Sequence, residues 1–287
     1  MVESKKIIEQ KILDILPKLS TNQKRLADFF LEHLHVIPLL SIKDIAKSAD
    51  VSQASIVRFA KMIGYSGFKE LKESVSIVLK NNLSPTERYH FAISEKEKTP
   101  DILKLVTQNI INNINDTVES VNHTVFLDVV DSIIKANRIF CMGQELSFHL
   151  SRLLTFLLKL YGYDAQQFTS DFFRYQEQIA YLRRDDLIIV FSFYPYSRET
   201  VEAASYAREN GLNVIAFTDK KTAPIREHAI HCIQIKTDNI MFSNSLGAIT
   251  VILNAIVTEL NLRDKERTLR ALKIIEENIN LDKYFII

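Results

Sequence analysis

The sequence predicts two domains of different class. An all-α domain covers residues 1–80, and after a linker at 81–100 an α/β domain covers 101–287, built on a five-stranded parallel sheet with helices on both faces. Three observations carry this expectation. Through residue 80 the apolar side chains recur at helical spacing. Residues 81–100 mix Asn, Ser, Pro and charges with no sustained period. Beyond Asn137, short runs rich in β-branched residues alternate with helix-length stretches, as parallel strands covered on both faces do.

The first stripe is Ile7, Ile8, Ile12, Ile15 and Leu16, with Pro17 just beyond it, and the second is Leu26, Phe29, Phe30 and Leu34. Ser41 opens a third helix, Ser52 a fourth, and the run from Phe68 to Leu79 makes a fifth. Serine suits a helix start because its oxygen accepts from a backbone N–H that has no partner in the helix. Residues 101–136 read as two helices broken near Asn122–Thr124. The expected strands are Arg138–Met142, Asp164–Phe168, Leu187–Ser192, Asn213–Thr218 and Ile230–Ile235. Amphipathic stretches at 146–161, 172–182 and 198–210, and a shorter one at 223–228, lie between them; two helices over 243–280 close the chain.

Of the 287 residues, 47% are hydrophobic and 25% charged, the balance of a globular protein able to bury a sizeable core. Six glycines and six prolines leave no room for low-complexity or collagen-like architecture. No apolar run is long enough to span a bilayer, and the N-terminal MVESKKIIEQKILDIL lacks the features of a signal peptide. Cys141 and Cys232 each sit in an apolar run, without zinc or redox-pair spacing, so both read as core thiols of a cytoplasmic protein. No cofactor and no metal are expected. Residues 1–80 carry 13 Lys and Arg against 9 Asp and Glu, a basic head on an acidic remainder. That asymmetry is a weak pointer to a polyanion.

Residues 41–72 are the most informative segment. Ile42, Ile45 and Ala46 supply one apolar face, and Val51, Ile56, Val57, Phe59 and Ala60 the other. Ser48-Ala49-Asp50-Val51-Ser52 is a short turn between two helices, with a small residue at the corner, the spacing of a DNA-binding helix-turn-helix. Gln53, Ala54, Ser55 and Arg58 lie at or near the start of the second helix, where such a helix meets base edges; Gln suits adenine and Arg suits guanine. Ser52 is placed to leave backbone N–H groups for a phosphate, and Lys61, Tyr65, Lys69 and Lys72 to hold register on the DNA backbone. The plainer alternative is a helical hairpin in a bundle, with Arg58 paired to Asp50 or a neighbour.

The string VSQASIVRFAKMIGYSGFKELK resembles the N-terminal domain of RpiR-type transcriptional regulators. That family carries Val-Ser-x-Ala-(Ser/Thr)-Ile-x-Arg-Phe, then Gly-(Tyr/Phe)-x-Gly-(Phe/Tyr)-x-(Glu/Asp)-(Leu/Phe)-(Lys/Arg). Val51, Ser52, Ala54, Ser55, Ile56, Arg58, Phe59, Gly64, Tyr65, Gly67, Phe68, Glu70, Leu71 and Lys72 match. The resemblance implies a double-stranded DNA operator as partner and, in the second domain, a sugar isomerase (SIS) fold that binds a sugar phosphate or related acidic sugar.

In that fold a first loop of the form Gly-x-Gly-x-Ser ends a strand and opens a helix. Here it reads Gly143-Gln144-Glu145-Leu146-Ser147, with Glu145 in place of the second glycine. A carboxylate there repels a phosphate unless it bonds sugar hydroxyls. The second loop, usually Ser-x-Ser-Gly-x-Thr, corresponds to Ser192-Phe193-Tyr194-Pro195-Tyr196-Ser197, followed by Arg198 and Thr200 at the helix mouth. Ser192 and Ser197 keep a hydroxyl, whereas Tyr194 and Pro195 depart from the pattern; Ser197 also reads as a plain helix cap. The expected ligand-binding set is Gly143, Glu145, Ser147, Ser192, Ser197, Arg198 and Thr200. Thr218-Asp219 reads as a turn.

Isomerases of this fold need a general base. Glu145, His149, His228 and His231 are the candidates, none with a partner pattern, so a regulator and not an enzyme is expected. One helix-turn-helix makes few base contacts, which calls for a homodimer or homotetramer, paired here through the 101–136 and 243–280 helices. The alternatives are a phosphosugar isomerase-like enzyme and a regulator whose second domain only dimerises.

Overall fold

The computed structural model describes residues 5–34, 37, 40–80, 101–169, 173–241 and 243–278. The expected linker, residue 172 and the last two residues of the 243–280 tail lie outside them. By contacts the chain divides into two compact units, residues 1–105 with 240–242, and residues 106–239 with 243–287.

The first unit contains α1 (Lys5–Ile15), α2 (Thr21–His33), α3 (Ile42–Ser48), α4 (Gln53–Met62) and α5 (Phe68–Lys80). Pro17 lies in a 3-10 turn, Leu16–Lys18, that ends the first helix. The third helix begins with a reciprocal cap: Asp44 N–H donates to Ser41 Oγ at 3.2 Å, and Ser41 N–H donates to the Asp44 carboxylate at 3.0 Å. The bonds from Ser41 hold the Asp44 carboxyl below its usual range. Ile8, Ile12, Leu26, Phe30, Ile45, Ile56, Phe59, Leu71 and Val75 fill the core, with the Phe30 and Phe59 rings 5.4 Å apart. Burying each such side chain contributes about 1.5–3 kcal/mol.

The second unit carries α6 (Ile102–Ser120), whose first turn lies at the boundary, and α7 (His123–Lys135). Asn122 caps α7, and its Oδ1 accepts from Thr124 N–H at 2.8 Å. Five strands alternate with helices: β1 (Ile139–Met142), α8 (Leu146–Leu160), β2 (Ala165–Gln167), α9 (Tyr175–Ile179), β3 (Leu187–Phe191), α10 (Arg198–Glu209), β4 (Asn213–Thr218) and β5 (His231–Gln234). A 3-10 turn, Pro224–His228, precedes β5, and α11 (Gly247–Arg263) and α12 (Lys265–Asn278) follow it. All pairs are parallel and the spatial order is β2-β1-β3-β4-β5.

The period of two sorts the side chains to two cores. Ile139, Cys141, Ile189, Phe191, Ile215 and Phe217 pack with α7, α8 and α11, while Phe140, Met142, Ile188, Val190, Val214 and Ala216 pack with α9 and α10. Expected and observed strands coincide to within one residue at each end. The 172–182 stretch yields a helix only over Tyr175–Ile179, because Glu177 takes the Arg174 N–H at 2.9 Å and sets the start there. The sheet is anchored ahead of β3 by Asp186, whose carboxylate receives Arg138 in a two-pronged bond and the Arg183 N–H at 2.7 Å. Burial alone would raise that carboxyl; the Arg138 and Arg183 bonds outweigh it and hold the group below its usual range.

Candidate functional site

Ser52 opens α4 as a cap in extended geometry, and its Oγ accepts from Ser55 N–H at 3.2 Å. Asp50, at φ 52°, takes the left-handed position of the turn, a conformation that Asp tolerates. Ile56, Phe59 and Ala60 turn inward and are fully buried. Ala54, Arg58 and Lys61 recur at i, i+4 and i+7, so they share one solvent-facing stripe with Gln53 beside it; Ser55 is half-buried and lies 2.9 Å from Ser52 Oγ. Asp50 pairs with Arg25 at 3.7 Å, both exposed, and Arg58 has no ion-pair partner among the described residues.

One expectation for this surface is corrected. Tyr65 is 6% exposed and belongs to the core, with the Lys11 ammonium 4.6 Å from its ring centroid. Its N–H donates to the Ala60 carbonyl at 3.0 Å after Gly64 turns through φ 93°, and that reversal carries the ring inward. Lys72 donates one of its three ammonium N–H groups to the Leu40 carbonyl at 2.9 Å. Lys69 is exposed, 4.0 Å from Glu73.

In the second unit the loops after β1 and β3 face each other where the strand order reverses, the position at which doubly wound sheets leave a crevice. A cavity of about 150 Å³ lies there. Glu145, Ser147, Ser192, Ser197 and Thr200 line it, together with Gln144, Phe191, Phe193, Pro195 and Tyr196. Gly143 supports it from behind: a Cβ on this residue would fall 2.7 Å from the Ser147 Cβ and 2.8 Å from its carbonyl oxygen, so only glycine lets the loop approach α8. Glu145 stands at the mouth with φ 53° and ψ −121°, a backbone conformation that glycine favours.

Ser192 Oγ and Thr200 Oγ1 are buried and have no hydrogen-bond partner among the described residues; the two residues are only 3% and 1% exposed. A buried hydroxyl without a partner is costly, and these two face the cavity with their bonding capacity unused. Ser197 Oγ accepts from Thr200 N–H at 3.3 Å, so Ser197 caps α10 and lines the cavity at once. Arg198 is exposed and is not among the lining residues.

The walls are braced by groups that sequence reasoning missed. Tyr175 donates to the Gly143 carbonyl at 2.8 Å, and burial pushes its hydroxyl up to about 12, so it stays a donor. Gln144 donates to Glu199 at 2.8 Å, joining the first loop to α10. Tyr196 donates to Asp219 at 2.9 Å, its hydroxyl pushed far up by burial and by that carboxylate. Thr218 and Asn244 donate to the Ser192 and Tyr194 carbonyls at 2.6 and 2.9 Å, and the Tyr194–Pro195 peptide is cis. Tyr175 carries no local signal, since it reaches the loop across 32 residues of chain. The Asp219 turn became part of the site only through Tyr196. Neither His149, His228 nor His231 lines the cavity, and His231 lies 4.0 Å from Asp128.

Residues 6–82 match the helix-turn-helix domain of the rpiR family, and residues 132–259 match the SIS domain. A Haemophilus influenzae relative described as an uncharacterized HTH-type transcriptional regulator is 29% identical over 224 residues, 76% of each chain. The sugar isomerase domain of an RpiR transcription factor from Sphaerobacter thermophilus superposes with a TM-score of 0.59 at 26% identity, covering 61% of this chain and 98% of that one. The Vibrio vulnificus NanR protein, solved in complex with ManNAc-6P, shares the fold over 95% of this chain and 99% of its own, with a TM-score of 0.57 at 17% identity. A capped helix-turn-helix in one unit and a parallel sheet with a cavity at its reversal point in the other are the two halves of that architecture, and the chain belongs to the RpiR family of transcriptional regulators.

Proposed function

We propose that this regulator reads duplex DNA through the exposed start of α4 and senses a sugar phosphate, or a related acidic sugar, in the cavity between the β1 and β3 loops. The observation that carries the sensing half is the pair of buried hydroxyls, Ser192 and Thr200, left without partners in a cavity of about 150 Å³. Ser147 and Ser197 add hydroxyls at the first turns of α8 and α10, whose N-terminal ends favour an anion. A phosphorylated sugar is the ligand of NanR, which is alike in fold. Gln53, Ala54, Ser55 and Arg58 are the base-facing residues of this reading, with Ser52, Lys61 and Lys69 toward phosphates.

On this reading the protein is a cytoplasmic regulator and not an enzyme: of the base candidates, His149, His228 and His231 lie outside the cavity, and Glu145 and Tyr196 are the titratable side chains among the lining residues described. It is at least a homodimer, for which the exposed Val118 of α6, Leu262 of α11 and Leu269 of α12 supply apolar surface. No helix among the described residues is long and apolar enough to cross a membrane. Ligand changes DNA binding only through unequal affinity for two arrangements of the dimer.

The test is a thermal-shift series with sugar phosphates, followed by gel retardation of a duplex selected by the protein from a random library. A sugar phosphate that raises the Tm and alters retardation supports the reading. A Tm unmoved by every sugar phosphate and acidic sugar, or turnover of one that binds, overturns it.

A further inference from the structure

The reading of the cavity leaves one residue unaccounted for. Glu145 brings a carboxylate to the mouth of a site proposed for an anion, and it does so from a backbone conformation that favours glycine. Among the described residues no Lys, Arg or His lines the cavity, and the exposed Glu145 carboxylate has no hydrogen-bond or ion-pair partner; only the Glu145 backbone carbonyl is engaged, accepting from Phe148 N–H at 3.1 Å. Its neighbour Gln144 is already committed to Glu199. Of the lining residues described, Glu145 is thus the one with a free charged acceptor, while the unpartnered hydroxyls of Ser192 and Thr200 lie buried.

We infer, resting on the reading of the cavity as a sugar-phosphate site, that Glu145 is the specificity-determining residue. It accepts a hydrogen bond from a donor on the sugar, a ring hydroxyl or an ammonium, and thereby excludes anions that lack one. The polarity of the site fixes the direction of the ligand. Phosphate oxygens go to the unpartnered hydroxyls of Ser192 and Thr200, and the donor-bearing end of the sugar faces the carboxylate. Inorganic phosphate or a small phosphate ester gains nothing at Glu145 and meets its repulsion. A charge-assisted bond is about twice as strong as a neutral one, so the residue separates ligands by their donors.

The experiment titrates full-length wild type, Glu145→Gln and Glu145→Gly with glucosamine 6-phosphate, glucose 6-phosphate and inorganic phosphate, following heat of binding and Tm. Gln keeps the size of the side chain and Gly suits the backbone, so both variants fold. The expected result is a loss on the order of 10-fold in affinity for the better sugar phosphate in both variants, with inorganic phosphate bound equally or more tightly. Preference of the wild type for glucosamine 6-phosphate identifies an ammonium as the donor, and equal binding of the two sugars identifies a hydroxyl. If the wild type binds a sugar phosphate and neither variant changes its affinity, or if inorganic phosphate loses as much, the assignment of Glu145 fails while the cavity reading stands. If the wild type binds neither these nor any other sugar phosphate or acidic sugar of the thermal-shift series, the cavity reading fails and takes the assignment with it.

Discussion

Gly143 lies so close to Ser147 that a Cβ on the glycine would sit 2.7 Å from the serine Cβ and 2.8 Å from its backbone. The contact is with the first turn of α8, so the helix itself would have to move. Gly143→Ala is therefore expected to cost about 1–3 kcal/mol, the price of overpacking. For a unit of this size each kcal/mol lowers the Tm by about 2–4 °C. Calorimetry checks the fall, and the sugar-phosphate response should weaken with it because Ser147 is displaced. An unchanged Tm would mean the loop has slack that the geometry does not show.

Removal of the unpartnered hydroxyl at Ser192 separates folding from binding. In the free protein the group is buried and unsatisfied, so Ser192→Ala is expected to leave the Tm unchanged or raise it by up to a few degrees. The same variant should lose most of the sugar-phosphate shift. A lower Tm without ligand would show that the hydroxyl holds the fold, and an intact shift would place the anion elsewhere.

Arg58 projects from the exposed stripe of α4 with no ion-pair partner among the described residues. Arg58→Ala is expected to weaken retardation of the selected duplex by about 10–100-fold, a loss of about 1–3 kcal/mol at a base edge. Being exposed, it should alter stability by no more than about 0.5 kcal/mol. Loss of ligand-induced stabilisation together with DNA binding would point to unfolding and not to a lost contact.

The Arg138–Asp186 pair makes the second unit sensitive to acid. The Asp186 carboxyl titrates lower in the folded chain than in the unfolded one, so its stabilisation is complete above the unfolded value near 4. It is lost as pH falls through the folded value. Asp186→Asn is expected to destabilise by about 1–3 kcal/mol at pH 7, since Arg138 then faces a neutral partner. The difference in Tm between wild type and variant should hold constant from pH 7 to about 5 and shrink below about 4. A gap that stays constant through pH 3 would show that the charge on Asp186 plays no part.

What the chain order of side chains determined was local. Hydrophobic period marked every helix and strand, because facing a core imposes spacing on the chain wherever the core lies. Ser41, Ser52 and Ser197 cap the helices expected of them, since a cap is an interaction over three residues. Gln53, Ala54, Ser55 and Arg58 were legible from their place at the start of the second helix, and the Gly143–Ser147 loop through the resemblance to the RpiR family. Tertiary structure decided whatever depends on partners far along the chain. It turned Tyr65 into the core, bonded Lys72 to a carbonyl 32 residues away, and left Arg198 outside a cavity that Thr200, two residues on, helps to line. Strand order brought the β1 and β3 loops together, and only that juxtaposition leaves Ser192 and Thr200 buried without partners. A residue's type states which bonds it can make; which of them remain unmade is settled by close packing across the whole unit.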